Sequence, residues 1–481
     1  MASMRVTDAE DFAIARALRP SLVDKDPDSA RRAGTSSGVN IEPGSDDDGW
    51  VVPQPVCLSD GSRVQLYKDG EALHAAYEAI AQAKFRICLE VYIFAGDHTG
   101  RTFADLFCHK SRQGVEVYLI YDSFGSLGSD RAMFLQMRDA GVHLQAFHPI
   151  RPWENRFGWR PFNRNHRKLL VIDDNIVGMG GLNVGSQYAG SWVVSSGGSS
   201  CEFWRDNAIG IVGPAARQFL RSFAKSWQYV STGGRIGKAE FIYNLSSTVP
   251  AAVRQEVCQS TRHDAVRSAG RLGQTRPRRP TWAGTKAGYH GAFDLADTRT
   301  NADFGILASV PTVSSPLAGF FQKLLQSAHK SIELTMAYFA PSDLLINELC
   351  RAARRGVRVR LMLPAKGDVP ILIWAARSFY EKLMNAGVEI YERQSVVLHA
   401  KTLVIDSELT VMGSANLDYR SIEYNLEISA LIRSGQFGCQ MNDLFENDVL
   451  YAKRISPAEW RKRPTIDRII QWAVNRARYL L

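Results

Sequence analysis

The feature that most constrains this chain is an internal repeat. The motif HxKxxxxD occurs as His166-Arg-Lys168-Leu-Leu-Val-Ile-Asp173 and again as His399-Ala-Lys401-Thr-Leu-Val-Ile-Asp406. Each copy is followed, ten residues after its Asp, by an Asn: Gly180-Gly181-Leu-Asn183 and Gly413-Ser414-Ala-Asn416. Both the histidines and the asparagines are 233 residues apart. The likeness extends upstream. EALHAAYEAIAQAK then FRICLEVYIF answers to FFQKLLQSAHK then SIELTMAYF, RQGVEVYLIYD to RRGVRVRLMLP, and DAGVHLQAF to NAGVEIYER. Gly114 and Gly356 are 242 apart and Gly141 and Gly387 are 246 apart, a drift that loop insertions produce.

Each copy alternates helical stretches with short apolar strands, which predicts an α/β fold: two repeats, each a mixed β-sheet flanked by helices. The expected divisions are a poorly ordered tail over 1–61, a first repeat over 62–232, a connection over 233–303, a second repeat over 304–456 and a basic amphipathic helix over 457–481. The tail is rich in Ser, Gly and Pro, with acidic patches at Asp24, Asp26, Asp28 and at Asp46, Asp47, Asp48. The connection carries eight basic residues between Arg254 and Lys286 against Glu256 and Asp264. It reads as a solvated linker or as a contact for phosphate or headgroups.

Strand side chains alternate faces, so His and Lys at i and i+2 point together in each repeat. Two lysines would give fixed charge for a phosphate, with Asn183, Ser414 and Asn416 as neutral phosphate-binding groups. Two histidines titrate near neutrality; one can attack phosphorus while the other protonates the leaving oxygen. With one histidine per repeat, a single site between the repeats, related by a pseudo-two-fold, is more economical than two. Each imidazole needs an acid to set its tautomer. The candidates are Asp206, in Trp204-Arg205-Asp206, and Glu427, in Asn425-Leu426-Glu427. These acids are 221 apart, so the first repeat carries 12 extra residues, assigned to GSWVVSSGGSSC. Asp173 and Asp406 have the opposite strand parity to their histidines and read as structural anchors.

On these stretches, about 390 residues from Val64 to Arg454, the sequence resembles the phospholipase D superfamily. LEVYIF, GVEVYLIYDSFGS, NRNHRKLLVID, GGLNVGSQY and WRD in the first repeat, with AYFAPSDLL, LHAKTLVID, GSANLDYRS and NLE in the second, look like bacterial cardiolipin synthases without membrane spans. The resemblance implies two phospholipase D-like repeats around one active site and a phosphohistidine mechanism without metal or other cofactor. It counts Asp173 and Asp406 in the catalytic motif along with His166, Lys168, His399 and Lys401. It favours His166 as nucleophile and His399 as general acid. The implied substrate is a phospholipid, phosphatidylglycerol first and phosphatidylethanolamine second, and the implied reaction is phosphatidyl transfer. A phospholipid hydrolase and a nucleic-acid phosphodiesterase are the competing readings, with nucleic acid the less expected partner.

The net charge of +9 suits an anionic membrane surface or nucleic acid equally. The first twenty residues lack the apolar core of a signal peptide, and no apolar run reaches the ~20 residues of a span. Peripheral attachment at the cytoplasmic side of a bacterial membrane is therefore expected. Two segments suit such a surface: Phe147 to Phe162, with Arg151, Trp153, Arg156, Trp159 and Arg160, and the C-terminal stretch with Ile466, Ile469, Ile470, Ala473, Ala477 and Leu480 near helical spacing. Packing of each against the protein body is the alternative. Seven cysteines without CxxC, and no HExxH, predict neither a disulfide framework nor a metal site. The oligomeric state is not legible.

Overall fold

The computed structural model describes residues 49–149, 162–190, 203–231, 303–309 and 317–480. The Arg/Trp-rich stretch before His166, the 12-residue insertion, the inter-repeat connection and most of the acidic tail lie outside these residues. Among the described residues, two eight-stranded mixed sheets share one seven-strand order. The first runs β1 (Val56–Cys57), β2 (Arg63–Lys68), β9 (Asn207–Val212), β7 (Ile176–Gly180), β6 (Leu169–Ile172), β3 (Arg86–Val91), β4 (Glu116–Asp122), β5 (His143–Phe147). The second runs β10 (Phe304–Ala308), β17 (Ile428–Arg433), β16 (Leu409–Gly413), β15 (Lys401–Ile405), β11 (Ser331–Met336), β12 (Arg358–Pro364), β13 (Glu389–Arg393), β18 (Ala452–Arg454). The eighth strand is β1, added at one edge of the first sheet, and β18, at the opposite edge of the second. In each sheet three strands are parallel, β3–β4–β5 and β11–β12–β13, and the motif strands β6 and β15 run antiparallel to β3 and β11.

The central strands are buried on both faces because both faces are covered. Helices α1 (Glu71–Ala81), α2 (His98–Arg112) and α3 (Arg131–Asp139) close the outer face of the first sheet. After α4 (Ala216–Ser231), helices α5 (Leu317–Ser327), α6 (Asp343–Arg354), α7 (Pro370–Arg377) and α8 (Tyr380–Asn385) serve the second. Two further helices, α9 (Tyr419–Glu423) and α10 (Gly435–Leu450), follow β16 and β17. The inner faces of both sheets meet in one core. Leu169, Val171 and Ile209 from one repeat join Val404, Met412 and Ile428 from the other, with Phe219 and Phe223 of α4 and Phe437 and Met441 of α10. The repeat pattern read from sequence ends at its last strand; α4 and α10, which carry much of this shared core, were not in it.

The C-terminal segment is two helices rather than one. Pro464 ends the first, α11 (Pro457–Arg461), and α12 (Thr465–Ala477) follows, because proline cannot continue a helix but suits its start. Ile466, Ile469 and Trp472 of α12 face solvent, while Gln471 is buried and Val474 packs beside Leu372, Ala375 and Tyr338. Among the described residues no helix is long and apolar enough to cross a membrane.

Asp173 and Asp406 sit at the far ends of the motif strands. Asp173 accepts from the backbone N–H groups of Lys84, Phe85 and Arg86 at 2.8–2.9 Å, and Asp406 from those of His329, Lys330 and Ser331 at 2.6–3.2 Å. Each carboxylate thus ties the start of β3 or β11 to its motif strand. Each aspartate lies seven residues from its histidine, up to about 23 Å of extended chain at ~3.3 Å per residue. Their place in the catalytic set is therefore corrected: they are anchors. Burial pushes the Asp406 carboxyl up, but the three N–H donors outweigh it and hold it below the usual range. Its contribution to stability is present above that range and lost as pH falls through it. Asp173→Ala or Asp406→Ala is expected to cost about 2–4 kcal/mol, from three lost charge-assisted hydrogen bonds and an alanine forced to positive φ. Urea denaturation measures this. Loss of activity at unchanged stability would return these residues to the site.

Candidate active site

The site forms where the two motif segments cross between repeats. His166 N–H donates to Leu426 O (2.9 Å) and Leu426 N–H to Arg164 O (2.9 Å). On the symmetric side His399 N–H donates to Arg205 O (2.7 Å), and β8 (Trp204–Arg205) pairs in parallel with β14 (Val397–Leu398). Each histidine is thereby set against the acid of the other repeat. His166 Nδ1 lies 3.1 Å from Glu427 Oε1 and 3.1 Å from Ser414 O. His399 Nδ1 lies 2.7 Å from Asp206 Oδ2. Carboxylates and carbonyls accept hydrogen bonds, so Nδ1 of His166 carries the proton and Nε2 is the free lone pair of the neutral ring. The expected orienters are both in place; the sequence did not reveal that each serves the opposite repeat.

The acids are accommodated differently. A Cβ at Gly181 would stand 2.2 Å from Asp206 Oδ1, so the first repeat needs glycine there. The equivalent Ser414 donates its hydroxyl to Glu427 Oε2 (2.5 Å) and accepts from Ile428 N–H (3.0 Å). Ser414 is thus a positioning residue for Glu427, a correction to its expected role on phosphate. The asparagines hold the loops after β3 and β11: Asn183 Oδ1 accepts from Ile93 N–H (3.0 Å) and Asn416 Oδ1 from Tyr338 N–H (3.3 Å). Asn183 also donates to Tyr188 Oη at 2.8 Å. This leaves the second N–H of Asn183 and the amide nitrogen of Asn416 as donors for a ligand.

The lysines project with the histidines as strand parity predicted, and each donates to the carbonyl of its own histidine: Lys168 to His166 O at 2.7 Å, Lys401 to His399 O. An ammonium has three donors, so two remain on each. Aromatic rings wall the imidazoles. Tyr92 stands edge-on to His166 at 5.2 Å, and Tyr188, Trp204 and Tyr338 surround His399 at 5.2–6.3 Å. Tyr338 donates to Asp368 at 2.7–2.8 Å. None of these was singled out as a site residue; the tyrosines lie in loops where strand periodicity says nothing. His148 is held by Asn163 O and Tyr229 Oη, both at 3.0 Å.

Burial dominates the electrostatics. It pulls the Lys401 ammonium down to about 8, against the opposing pull of Asp206 and Glu427, and it drives Lys168, beside Lys401, well below its ordinary value. It pushes Asp206 up to about 6, although Lys401 opposes this. Burial and Lys168 hold His166 below its usual value, with Glu427 partly compensating; burial, Lys401 and Lys168 hold His399 well below. Burial raises Glu427, but His166, Lys168 and Ser414 outweigh it and keep the carboxyl low. The site thus sets two neutral imidazoles beside two buried lysines, an arrangement that suits an anion. Among the described residues no group of three or more His, Cys, Asp or Glu is arranged to hold a metal ion.

Two α/β repeats sharing one site, each giving a histidine, a lysine and the other's orienting acid, define the phospholipase D superfamily of phosphatidyltransferases. The family model for "Cardiolipin synthase, PLD-like domain" matches residues 77–192 and 321–449. A cardiolipin synthase of Staphylococcus epidermidis is 30% identical over 416 residues, covering 86% of this chain and 73% of that protein. A probable cardiolipin synthase of Bacillus subtilis is 28% identical over 408 residues, covering 85% and 70%. The crystal structure of a phosphatidylserine synthase from Haemophilus influenzae superposes with a TM-score of 0.60 at 15% identity, covering 89% of this chain and 97% of that one, which bears on the fold. The chain belongs to the cardiolipin synthase family of PLD-like proteins.

As orienter of His399, Asp206 would act ionised, and as a phosphate-binding cation Lys401 would act protonated, which sets the expected pH dependence of activity. Activity is therefore expected to fall below about pH 6 and above about pH 8, the values that burial gives these groups. Lys401→Arg keeps its charge and should remove the alkaline limb. An alkaline limb that persists in that variant would assign it elsewhere. Asp206→Asn should lower kcat by about 10²–10⁴, as loss of a tautomer-setting acid does.

Proposed function

We propose that the chain transfers a phosphatidyl group from phosphatidylglycerol through a covalent phosphohistidine. What supports this reading is the pair of imidazoles, each backed by a buried acid across the repeat boundary, with Lys168 and Lys401 close beside them. His166 Nε2 attacks phosphorus and the P–O bond to the leaving glycerol breaks; His399 gives that oxygen its proton. A second lipid's hydroxyl then loses its proton to His399 and attacks phosphorus, and the P–N bond breaks. His166 is the better nucleophile because Glu427 stays ionised and is fixed by Ser414, so it stabilises the positive charge of a phosphorylated imidazole. Entry of the phosphate supplies the negative charge that raises the imidazole pKa values and lets His399 act as an acid. Lysine and asparagine donors stabilise the pentacoordinate state, so no cofactor is required.

The two histidines act as a unit, so His166→Ala and His399→Ala should each nearly abolish turnover. Labelling separates their roles. With phosphorus-labelled substrate whose leaving group needs little protonation, His399→Ala should accumulate labelled enzyme and His166→Ala should not. Label mapped to His399 in the unmodified protein would reverse the assignment. Labelled DNA turned over in place of lipid would replace the substrate class.

The same reading places the protein peripherally on an anionic membrane surface. Ile466, Ile469 and Trp472 are more than half exposed on α12, interleaved with exposed Arg468 and Arg476. The helix stands beside the site, since Val474 packs in the cluster of Tyr338, and Tyr338 contacts His399. Ile469→Glu with Trp472→Glu should weaken flotation with anionic vesicles about tenfold or more, and salt should weaken binding of the unmodified protein. Equal binding to neutral and anionic vesicles at every salt concentration would remove the electrostatic part.

A further inference from the structure

The two repeats fill the layer between their first helix and sheet differently. The anchoring aspartates set the comparison: Asp173 holds Lys84 to Arg86 and Asp406 holds His329 to Ser331, positions 245 apart. By that register Ala72, Ala75, Ala76 and Ala79 of α1 stand where α5 has Leu317, Phe320, Phe321 and Leu324. The sheets differ in the same sense. Gly178 pairs with Gly210 across β7 and β9, where the second repeat pairs Val411 with Leu431 across β16 and β17. All six large residues belong to one buried cluster of the second repeat.

Six small residues in their place leave a cavity of about 90 Å³ under α1. Nothing in the backbone calls for glycine at 178: its φ is not left-handed, and a Cβ there would meet Leu170 at an ordinary 3.7 Å. Interiors otherwise pack densely, so an unfilled layer in one repeat, beside a filled one in the other, calls for an occupant. The lining is mostly apolar, with Leu89, Val91, Leu170, Ile172 and Leu182 among it; Tyr67, Glu90 and Lys168 are its polar members. The cavity's volume is about three times the ~30 Å³ share of one water, the size of a short aliphatic segment. Ala72, Ala75 and Ala76 are half-buried, so the space lies close to the surface. Lys168 belongs both to its wall and to the active site.

We propose that this cavity is a hydrocarbon subsite that takes part of an acyl chain of the phospholipid whose phosphate lies between His166 and His399. This rests on the function proposed above. A chain tethered to a phosphate at Lys168 is held at high effective concentration beside the cavity, so a small apolar space suffices to select it. In the second repeat the same layer is filled by its own side chains.

Ala76→Phe with Gly178→Val fills the space as the second repeat does and touches no catalytic group. Full-length protein and variant are compared by melting temperature, by binding of the fluorescent fatty acid cis-parinaric acid, and by kcat/KM on dioleoyl and dihexanoyl phosphatidylglycerol. The expected result is an unchanged or raised melting temperature, probe binding weakened about tenfold or more, and a similar loss of preference for the long chains at an unchanged short-chain rate. Probe binding and chain preference that match the unmodified protein would overturn the proposal. If the unmodified protein acts on neither lipid, the proposed function fails, and probe binding alone still decides the cavity. Should the double variant melt well below the unmodified protein, Gly178→Val alone, whose Cβ meets ordinary contacts, decides by the same readings.

Discussion

Everything in this structure depends on the backbone exchange at the two histidines. The segment before β6 pairs with Leu426, and the segment before β15 pairs with Arg205, so each motif is completed by the other repeat. The orienting acids follow from this exchange, because Asp206 and Glu427 directly follow the residues that pair. Neither repeat alone contains an oriented imidazole. The shared core of α4, α10 and the inner sheet faces holds the exchange in register, and buried arginines fasten it. Arg205 binds Asp448 of the other repeat through two 2.8 Å bonds, and Arg167 reaches Glu427 O and Ser309 O.

Such a site needs cations and acids taken out of water, which is costly unless each is matched. Asn165 shows how the surroundings match them: it donates to Glu90 at 2.7 Å while its own N–H is accepted by Asp122, which also pairs with Arg164 at 3.2 Å. The lysines are the exception. They are buried and partly solvated by their histidine carbonyls, and Lys401 lowers Lys168 further. A bound phosphate relieves that repulsion, so the ligand's charge does for the lysines what Asp448 does for Arg205. The binding energy is thereby directed at the group that reacts.

The chemistry was legible because it is local. The period of two set His and Lys on one face, and the opposite parity of Asp173 correctly separated it from them even though the family motif includes it. The 12-residue offset between Asp206 and Glu427 gave matching strands despite the insertion. What was not legible is what depends on distance in sequence. No local pattern pairs His166 with Glu427, 261 residues away, and so Ser414 read as a phosphate ligand although its hydroxyl is spent on that acid. The helices of the shared core were missed for a related reason: α4 and α10 pack against both repeats, and their role appears in neither copy alone. Pro464, a legible break, was passed over in favour of a continuous basic stripe.

The repeats are alike where charge must be symmetric and unlike where shape matters. In the proposed reaction the phosphate lies between two imidazoles, one bonding to phosphorus and one moving protons, and His, Lys and Asn recur at one spacing in both repeats. The donor lipid is not symmetric, since its acyl chains leave the phosphate in one direction only. The differences follow that asymmetry. Arg167 stands where the second motif has Ala400, Gly181 where it has Ser414, and small residues line α1 where aromatic ones line α5. The first two adjust how the repeats and acids fit together without altering which groups face the phosphate. The third lies further out, in a layer whose packing can change without moving either histidine. Selection of the lipid can therefore be built into one repeat while both retain the same catalytic geometry.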